Sequence, residues 1–332
     1  MNIKSLKIKE LPILLILLLL SLIITIANPT FLTVENFLDI LKSNLVLAMM
    51  ALGMLMVLLT GGIDVSVASI IAAVTVITGQ SLIHFSSNIF VTILVACLSG
   101  TLMGLVNGLL IAKLKIPPIV ATLGTMSVIL GLVLYLTNGA WITGIPDSFI
   151  EFGRITLFSF ELVDGRTIGF PVQVLFLIPV IFLTWFILKK TVIGRGIYAI
   201  GGNLESAERM GFKADRILIF VYSFEGFLIG LAAVVHTSIM RQVDPNAFLG
   251  FEMQVIAAVV LGGASVLGGF GSVLGTVIGV SLFCVINNGL ILMHIPVFWQ
   301  KIVVGLIIIG SISIDMIQKQ RVEKNKIRVD VE

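Results

Sequence analysis

The sequence predicts an all-α fold, a polytopic bundle of transmembrane helices, and two observations lead to this prediction. The 332 residues are 58% hydrophobic and 12% charged, with a mean hydropathy of +1.15, whereas soluble domains carry about twice that charged fraction. The apolar runs are roughly 17–25 residues long, the length that crosses about 30 Å of hydrocarbon as a helix. They lack the alternating pattern of membrane-spanning strands.

The apolar runs predict about ten spans, eight of them full and two broken or re-entrant. The first span ends near residue 27 and the second near residue 60. The third covers 65–83, the fourth ends at residue 113, and the fifth begins at residues 117–118. The sixth span covers 172–188, and the seventh begins near residue 217. The remaining apolar runs cover 253–261, 273–289 and 296–314. The run at 253–261 is long enough to cross only half of a membrane. The sequence therefore leaves open whether all ten runs span the membrane or whether eight do and two form re-entrant segments.

The basic residues predict that both termini are cytoplasmic. Most of the 21 lysine and arginine residues fall in segments that this topology places inside, as expected from the positive-inside rule. The net charge of only +3 is spread over the ends of spans and forms no single basic patch. No nucleic-acid partner is therefore expected.

The chain is predicted to form one transmembrane domain, residues 1–332, with an internal duplication. Its parts are a first span with flanks (1–35), two repeats (36–136 and 217–316), an extracytoplasmic loop (137–171), a cytoplasmic loop (189–216) and a basic cytoplasmic tail (317–332). The duplication rests on two matched landmarks. "VLLTGGIDVSVASIIAA" resembles "VVLGGASVLGGFGSVLGT", and "VNGLLIAKLKIPPIVATLG" resembles "INNGLILMHIPVFWQKIVVG".

Glycine pairs interrupt apolar segments at corresponding places in the two repeats. This pattern is expected where broken helices meet around a transport path; close helix packing is the other role of such glycines. The candidates for helix breaks or for the path are Gly61, Gly62, Asp64, Ser66, Asn107, Glu225, Glu252, Gly262, Gly263, Asn287 and Asn288.

Asp64 follows the first glycine pair in otherwise apolar sequence. At a helix break in lipid, the N–H groups that open the next helix cost several kcal/mol each unless a side chain accepts them. Aspartate and serine are preferred for that task. Asp64 and Ser66 are therefore predicted to close the start of the third span, and direct contact of Asp64 with a solute is the alternative.

The sequence offers no set of residues for catalysis, so the chain is predicted not to be an enzyme. It contains no GxxxxGK[ST] motif for a phosphate, and its three histidines lie near no candidate nucleophile. Metal ligands are not clustered. We expect no cofactor or metal on this chain, and if ATP drives it, another chain binds the ATP. Cys97 and Cys284 lie in apolar runs and are predicted to be free.

Two polar segments are predicted to contact other proteins. In the cytoplasmic loop, Asn203, Glu205, Ala207 and Gly211 belong to a short amphipathic helix with a capping residue before it and a glycine after it. A partner chain is expected to dock there, with Ala207 and Gly211 at the contact. On the opposite side, Glu151, Arg241 and Asp244 are candidates for salt-sensitive docking of a second partner.

Four motifs, in order along the chain, carry a family resemblance. "GGIDVSVAS", "GRGIYAIGGNLESAERMGF", "GFEMQVIAAVVLGGASVLGGFGSVLGT" and "NNGL" resemble the membrane permease subunits of bacterial ABC importers for ribose, xylose, galactose, rhamnose and similar monosaccharides. The resemblance covers about residues 36–315. It implies a multi-pass protein of the bacterial cytoplasmic (inner) membrane, and that residues 203–211 form the coupling helix.

The resemblance also implies a set of partners. These are a second copy of the permease or a close relative, a cytoplasmic ATPase that binds ATP and Mg²⁺, a periplasmic or lipid-anchored sugar-binding protein, the monosaccharide and membrane lipid. The chain departs from the family in having Glu225 where small residues are usual. A proton-coupled secondary transporter of a small polar solute, using Asp64, Glu225 or Glu252, is the alternative that these intramembrane acids suggest.

Overall fold

The computed structural model describes residues 10–161, 167–296, 298–299, 301–310, 313 and 316–317. In this part the chain is almost entirely helical, with one 3-10 turn at Pro29–Leu32 and one β-hairpin. The α-helices are α1 (Leu11–Ala27), α2 (Val34–Leu59), α3 (Val67–His84), α4 (Ile89–Ala112), α5 (Pro118–Thr137), α6 (Asp147–Arg154), α7 (Val174–Lys190), α8 (Val192–Gly202), α9 (Leu204–Arg209), α10 (Ala214–Met240), α11 (Phe251–Leu261), α12 (Val273–Leu292) and α13 (Lys301–Gly310). The strands are β1 (Thr156–Glu161) and β2 (Thr167–Pro171).

The helices confirm a polytopic helical membrane protein. Six of them, α2, α3, α4, α5, α10 and α12, are long and apolar enough to cross a membrane, and α7 with α8 forms a further candidate bent by 73°. The helices α1, α11 and α13 are apolar but shorter. Apart from α8, which lies in the predicted cytoplasmic loop, each of these apolar helices lies where an apolar run predicts one, whereas the number of ten spans stays a prediction.

Helix α2 forms the centre of the bundle. All its residues from Leu45 to Leu59 are buried except Ala48, which is half-buried. It packs against α7, α10, α11 and α12. A helix that is apolar on all sides is stable only when other helices surround it or when it faces lipid, and in α2 the surrounding helices provide that cover.

Helices α4 and α10 approach each other through glycine. Gly104 lies against the backbone carbonyl of Tyr222, and Gly100 and Gly226 lie against each other's carbonyl groups. A methyl group at any of these three glycines would overlap a backbone atom of the partner helix. Small residues that let two backbones meet in this way are typical of membrane helix pairs.

One end of the bundle, the α6 end, carries the described part of the predicted extracytoplasmic loop. Strands β1 and β2 pair antiparallel, and Ile142 forms an isolated bridge with Val243. Helix α6 packs on α10, where Gly153 lies against the carbonyl of Ser238. The Gln173 side-chain amide donates hydrogen bonds to the Gly153 carbonyl (3.0 Å) and to the Ser238 hydroxyl (3.2 Å). The loop therefore has a structure of its own, as predicted.

Residues 1–9 and 318–332, with the basic N-terminal flank and nearly all of the basic tail, lie outside the described residues. The cytoplasmic placement of both termini therefore stays a prediction. The two cysteines, Cys97 and Cys284, are free and buried, as the sequence predicts.

We expect Gly104→Ala and Gly226→Ala to reduce the amount of folded protein, because an added methyl group must push α4 and α10 apart. Overpacking of this kind costs roughly 1–3 kcal/mol. Gly305→Ala on α13 is the matched control, since nothing lies within 4 Å of its added methyl group. Size-exclusion profiles and melting temperatures of the purified variants would measure the effect, and equal profiles for all three would contradict the assigned contact.

Candidate functional site

The helical structure is interrupted between α2 and α3, as the glycine pair predicts. Helix α2 ends at Leu59, Gly61 adopts the left-handed φ of +81°, and α3 begins at Val67. The Val57 carbonyl accepts the N–H groups of Thr60 (3.0 Å) and Gly62 (3.2 Å), so the last turn of α2 closes on itself. A positive φ at Gly61 is favourable only without a side chain.

Asp64 satisfies the polar groups of this break. Its Oδ1 atom accepts hydrogen bonds from the Ser66 N–H (2.7 Å) and the Ser66 hydroxyl (2.6 Å). Its Oδ2 atom accepts one from the Asn107 side-chain amide of α4 (3.2 Å). Asp64 therefore forms an Asx turn over residues 64–66, immediately before α3.

The capping geometry differs in one respect from the prediction. Ser66 is the N-cap residue of α3, but its side chain accepts no hydrogen bond from the first turn of the helix. Its hydroxyl instead donates to Asp64 and accepts from the Asn107 amide (2.8 Å). Asp64 and Ser66 thus stabilise the approach to α3 and its contact with α4, and not the free N–H groups inside the helix.

Helices α5 and α10 complete this group of side chains. The Thr122 hydroxyl accepts the Val65 N–H (3.3 Å) and donates to the Pro118 carbonyl (2.9 Å). The Tyr222 hydroxyl lies beside Gly62, and the Glu225 side chain lies close to that of Asp64. The Asp64 cluster comprises Asp64, Ser66, Asn107, Thr122, Tyr222 and Glu225, all buried.

Sequence reasoning identified four of the six cluster residues and missed Thr122 and Tyr222. Only Tyr222 was within reach of a simple spacing argument. Tyr222 lies three residues before Glu225, and residues three apart share one face of a helix. Thr122 lies four residues after Pro118, the first residue of α5, but nothing in the sequence indicates which end of α5 meets the break.

The second predicted break lies between α11 and α12. Helix α11 ends at Leu261, and a glycine-rich turn follows, in which Gly263 has a φ of +81° and Gly268 a φ of +91°. Helix α12 then begins at Val273, where the hydroxyl of the N-cap residue Ser272 accepts the Gly275 N–H (3.0 Å). Gly262 lies against the backbone of Gly275 and Gly279, so α11 and α12 are in close contact.

The two breaks meet each other at one end of the bundle, which we call the α9 end. The Gly269 N–H donates to the Leu59 carbonyl (3.0 Å), and the Tyr198 hydroxyl of α8 donates to the Gly271 carbonyl (2.9 Å). Gly201 of α8 lies directly against the Leu59 carbonyl. The structure thus joins the two glycine-rich segments through backbone contacts, while the internal duplication itself stays a prediction.

The other path candidates lie apart from the Asp64 cluster. Asn288 of α12 exchanges two side-chain hydrogen bonds with Asn36 of α2 (2.8 and 3.1 Å), and Asn287 beside it is half-buried. Asn288 is fifteen residues beyond Val273, about 22 Å along the helix. Glu252 is half-buried in the first turn of α11. The predicted path residues therefore do not form one site within the single chain, and their role in a path stays a prediction.

The cytoplasmic loop contains the capped helix that the sequence predicts. The Asn203 side chain caps α9 by accepting the Ser206 N–H (2.8 Å). Gly211 ends the segment with a φ of +88°, and the Phe212 N–H donates to the Ala207 carbonyl (3.1 Å). Glycine with a positive φ is the usual end of such a helix.

The surface of α9 differs from the expectation in one residue. Ala207 is completely buried within its own chain, so it is not part of a contact surface for a partner. Leu204 and Met210, which are 49% and 67% exposed, present apolar surface instead. Glu205 is exposed and forms an ion pair with Arg209. The period of the helix predicts one buried face, but the sequence does not show which face is buried.

An ion-pair group connects this segment to the rest of the α9 end. Asp215, in the first turn of α10, accepts hydrogen bonds from Lys113 (3.0 Å) and Lys115 (2.7 Å). The two lysines lie between α4 and α5. Because Asp215 follows Gly211 by four residues, the pairs link the chain just beyond α9 to the start of α5.

At the α6 end, the three predicted docking residues differ in exposure. Glu151 on α6 is exposed, and so is Arg241, which ends α10 with a left-handed φ of +61°. Asp244 is half-buried and its carboxylate accepts the Asn246 N–H (2.9 Å). Glu151 and Arg241 are therefore free to meet a partner, whereas Asp244 also shapes its own turn.

The apolar helices, the two helix breaks between them and the exposed capped helix at one end are those of a polytopic helical membrane protein. Residues 36–312 match the model of the family described as branched-chain amino acid transport system / permease component. The chain belongs to this family, whose members are transport components and not enzymes.

Curated relatives agree with this assignment. The chain is 38% identical over 300 residues to the ribose import permease protein RbsC of Haemophilus influenzae and 37% identical over 301 residues to that of Bacillus subtilis, in both cases over 90% of each chain. It is 35% identical over 312 residues to the autoinducer 2 import system permease protein LsrC of Yersinia pestis, over 94% of this chain and 86% of the relative. No solved structure gives a significant match to the chain.

We expect Gly201→Ala to destabilise the α9 end, because its methyl group would overlap the Leu59 carbonyl oxygen and separate α8 from the first break. The neighbouring Gly202→Ala is the control, since nothing lies within 4 Å of its added methyl group. Limited proteolysis of the 189–216 loop in the purified variants would compare the two. Equal protection in both would show that the Gly201 contact does not hold the breaks together.

Proposed function

We propose that this chain is the permease subunit of an ATP-binding-cassette importer and forms the transmembrane path for a monosaccharide. A substrate-binding protein delivers the sugar, and a separate cytoplasmic ATPase, which binds ATP and Mg²⁺, powers the transport. The family match and the import permeases among the relatives support this proposal. Ribose is the substrate named for two of those relatives, and autoinducer 2 for the third.

The observation that carries the proposal is the surface of α9. A helix of six residues is too short to be stable alone, yet α9 has a cap at each end and a buried alanine that fixes it to the bundle. Two exposed apolar side chains, Leu204 and Met210, lie at the two ends of this helical segment. Exposed apolar residues on an ordered surface helix fit a groove on a partner protein, and here we assign that groove to the ATPase.

The surroundings of α9 provide a route by which its movement would reach the spans. The ion pairs of Asp215 with Lys113 and Lys115 connect the segment after α9 to α5. The segment before α9, helix α8, contains Gly201, which contacts the first break. A displacement of α9 therefore acts on both sides of the α2–α3 break.

The proposed topology places the α9 end in the cytoplasm and the α6 end outside. Six long helices, together with α1, α7, α11 and α13, account for ten spans, with both termini inside a bacterial inner membrane. Lysines at 113, 115, 189, 190 and 213 all lie at the α9 end in this arrangement, in agreement with the positive-inside rule. The exposed Glu151 and Arg241 then face the binding protein.

A complete importer would contain a second permease copy or a close relative. Helix α5 supports this, because only three of its residues, Ala121, Thr122 and Val133, are buried within the chain. Two glycines on it, Gly124 and Gly131, have no neighbour within 4 Å of an added methyl group. Glycines at this spacing lie on one helix face and allow another membrane helix to approach closely.

We expect Met210→Glu and Leu204→Glu to weaken ATPase binding by more than tenfold together, because a carboxylate replaces apolar surface at the contact. Leu249→Glu is the control, since Leu249 is also an exposed leucine but lies in the loop after α10, at the α6 end. Co-purification of the ATPase and sugar-stimulated ATP hydrolysis measure the effect. Wild-type values in both α9 variants would remove the coupling role of this helix.

Sealed vesicles separate ATP-driven import from the proton-coupled alternative. With the ATPase and the loaded binding protein present, we expect sugar uptake to continue after a protonophore has collapsed the proton gradient, and to stop when ATP is removed. The opposite pattern, uptake that needs the gradient and persists without ATP, would establish the secondary transporter. Vesicles without the permease provide the background.

A further inference from the structure

Two carboxylic acids lie side by side within the membrane part of the bundle. Asp64 and Glu225 are each 1% exposed, and their side chains are close neighbours. Tyr222, one turn before Glu225 on α10, lies beside Gly62, two residues before Asp64. In the described part of the chain, no side-chain or backbone donor satisfies either oxygen of the Glu225 carboxyl. The neighbouring Asp64 carboxylate is another acceptor, so a hydrogen bond between the two acids requires a proton.

The packing around Glu225 holds it in this position. A methyl group at Gly53 of α2 would lie 3.0 Å from the Glu225 Cγ atom, so the α2 backbone closes one side. No lysine, arginine or histidine belongs to the buried set of the described residues. Tyr222 on the same helix is the other titratable group of the Asp64 cluster, and Asn107 on α4 contacts Asp64. Neither of these side chains supplies positive charge.

Electrostatics decides the protonation of the pair. An ionised carboxylate in an apolar interior costs several kcal/mol unless it is paired or well hydrogen-bonded. Two adjacent carboxylates add mutual repulsion, and such pairs therefore hold one proton between them. The ionised form of both acids would need a counter-charge that the neighbouring side chains do not provide.

The hydrogen bonds indicate which acid carries the proton. The Asp64 carboxylate accepts three hydrogen bonds, two from Ser66 and one from Asn107, and hydrogen bonds of this kind favour the ionised form. Glu225 accepts none from the described donors. Asp64 therefore suits the negative charge, and Glu225 suits the proton.

We propose that Asp64 and Glu225 form a proton-binding site in which Glu225 carries the proton and donates a hydrogen bond to the Asp64 carboxylate. The bond ties α10 directly to the turn between α2 and α3. Glu225 is thus a positioning residue for the break, and the proton completes the polar contacts of the Asp64 cluster. This inference is independent of the transported solute and of the energy source.

Infrared spectroscopy of the purified full-length permease in lipid tests the proposal. At neutral pH, we expect the wild type to show the carbonyl stretching band of a protonated carboxylic acid. Glu225→Gln should lose this band, while Glu205→Gln, which alters an exposed glutamate on α9, should keep it. A wild-type spectrum without the band would overturn the proposal and favour a bound cation between two ionised acids.

Isotope labelling assigns the band even if a variant fails to fold. In wild-type protein labelled with ¹³C at the glutamate side-chain carboxyl, the band should move to lower frequency, and with labelled aspartate it should not. A shift with labelled aspartate alone would place the proton on an aspartate and contradict the assignment to Glu225.

The positioning role has its own readout in two variants of similar size. Glu225→Gln retains a donor for the Asp64 carboxylate, so we expect its melting temperature to stay close to that of the wild type. Glu225→Leu removes the donor and leaves Asp64 with one contact fewer, so we expect a clearly lower melting temperature. Equal values for the glutamine and leucine variants would show that no hydrogen bond to Asp64 is needed.

Discussion

A backbone that leaves its helix within a packed bundle must find partners for its freed N–H and C=O groups inside the protein, and both breaks of this chain are arranged around that constraint. The α2–α3 break meets it mainly with side chains, through Asp64, Ser66 and Thr122. The α11–α12 break meets it mainly with backbone, as the hydrogen bond from Gly269 to the Leu59 carbonyl shows. Each break therefore provides part of the hydrogen bonding that the other requires, and this explains why the two breaks lie together.

This shared solution couples distant parts of the sequence. The first break is held by α4, α5 and α10 through the Asp64 cluster, and by α8 through the contact of Gly201 with Leu59. Helix α9 follows α8 directly, and the chain beyond it is paired with Lys113 and Lys115. Exposed ion pairs contribute little stability, about 0–1 kcal/mol, so the backbone contacts at glycine provide most of the rigidity here. The ion pairs set position.

Composition and local pattern predicted the elements of this fold well, because membrane spans depend on residues close together in the chain. The apolar runs gave the helices, the glycine pairs gave both breaks, and Asn203 with Gly211 gave the ends of α9. Ala207 shows where such reasoning stops. Its burial depends on how α9 sits on the bundle, which is a contact between distant segments.

The same limit applies to the Asp64 cluster. Asp64, Ser66, Asn107 and Glu225 are recognisable as polar residues in apolar sequence, but their convergence depends on the packing of four segments. Asn288 has the same kind of sequence signal and instead binds Asn36 elsewhere in the bundle. A polar residue in a span therefore predicts a polar contact, while the identity of its partner follows from the tertiary structure.

Burial also separates the role of the intramembrane acids from that of a solute path. All six residues of the Asp64 cluster are at most 1% exposed, and Asp64 and Glu225 are occupied with the break and with each other. A sugar that crosses the membrane needs hydrogen-bonding groups on an accessible surface, because a site recognises a hydroxyl through groups placed to pair with it. The surface that this chain leaves uncovered includes α5, where Ser127 is exposed and Thr125 half-exposed. We therefore expect selectivity for the solute to arise on helix faces that a second permease subunit encloses. The role of the two acids is then to stabilise the helix breaks that hold those helices in place.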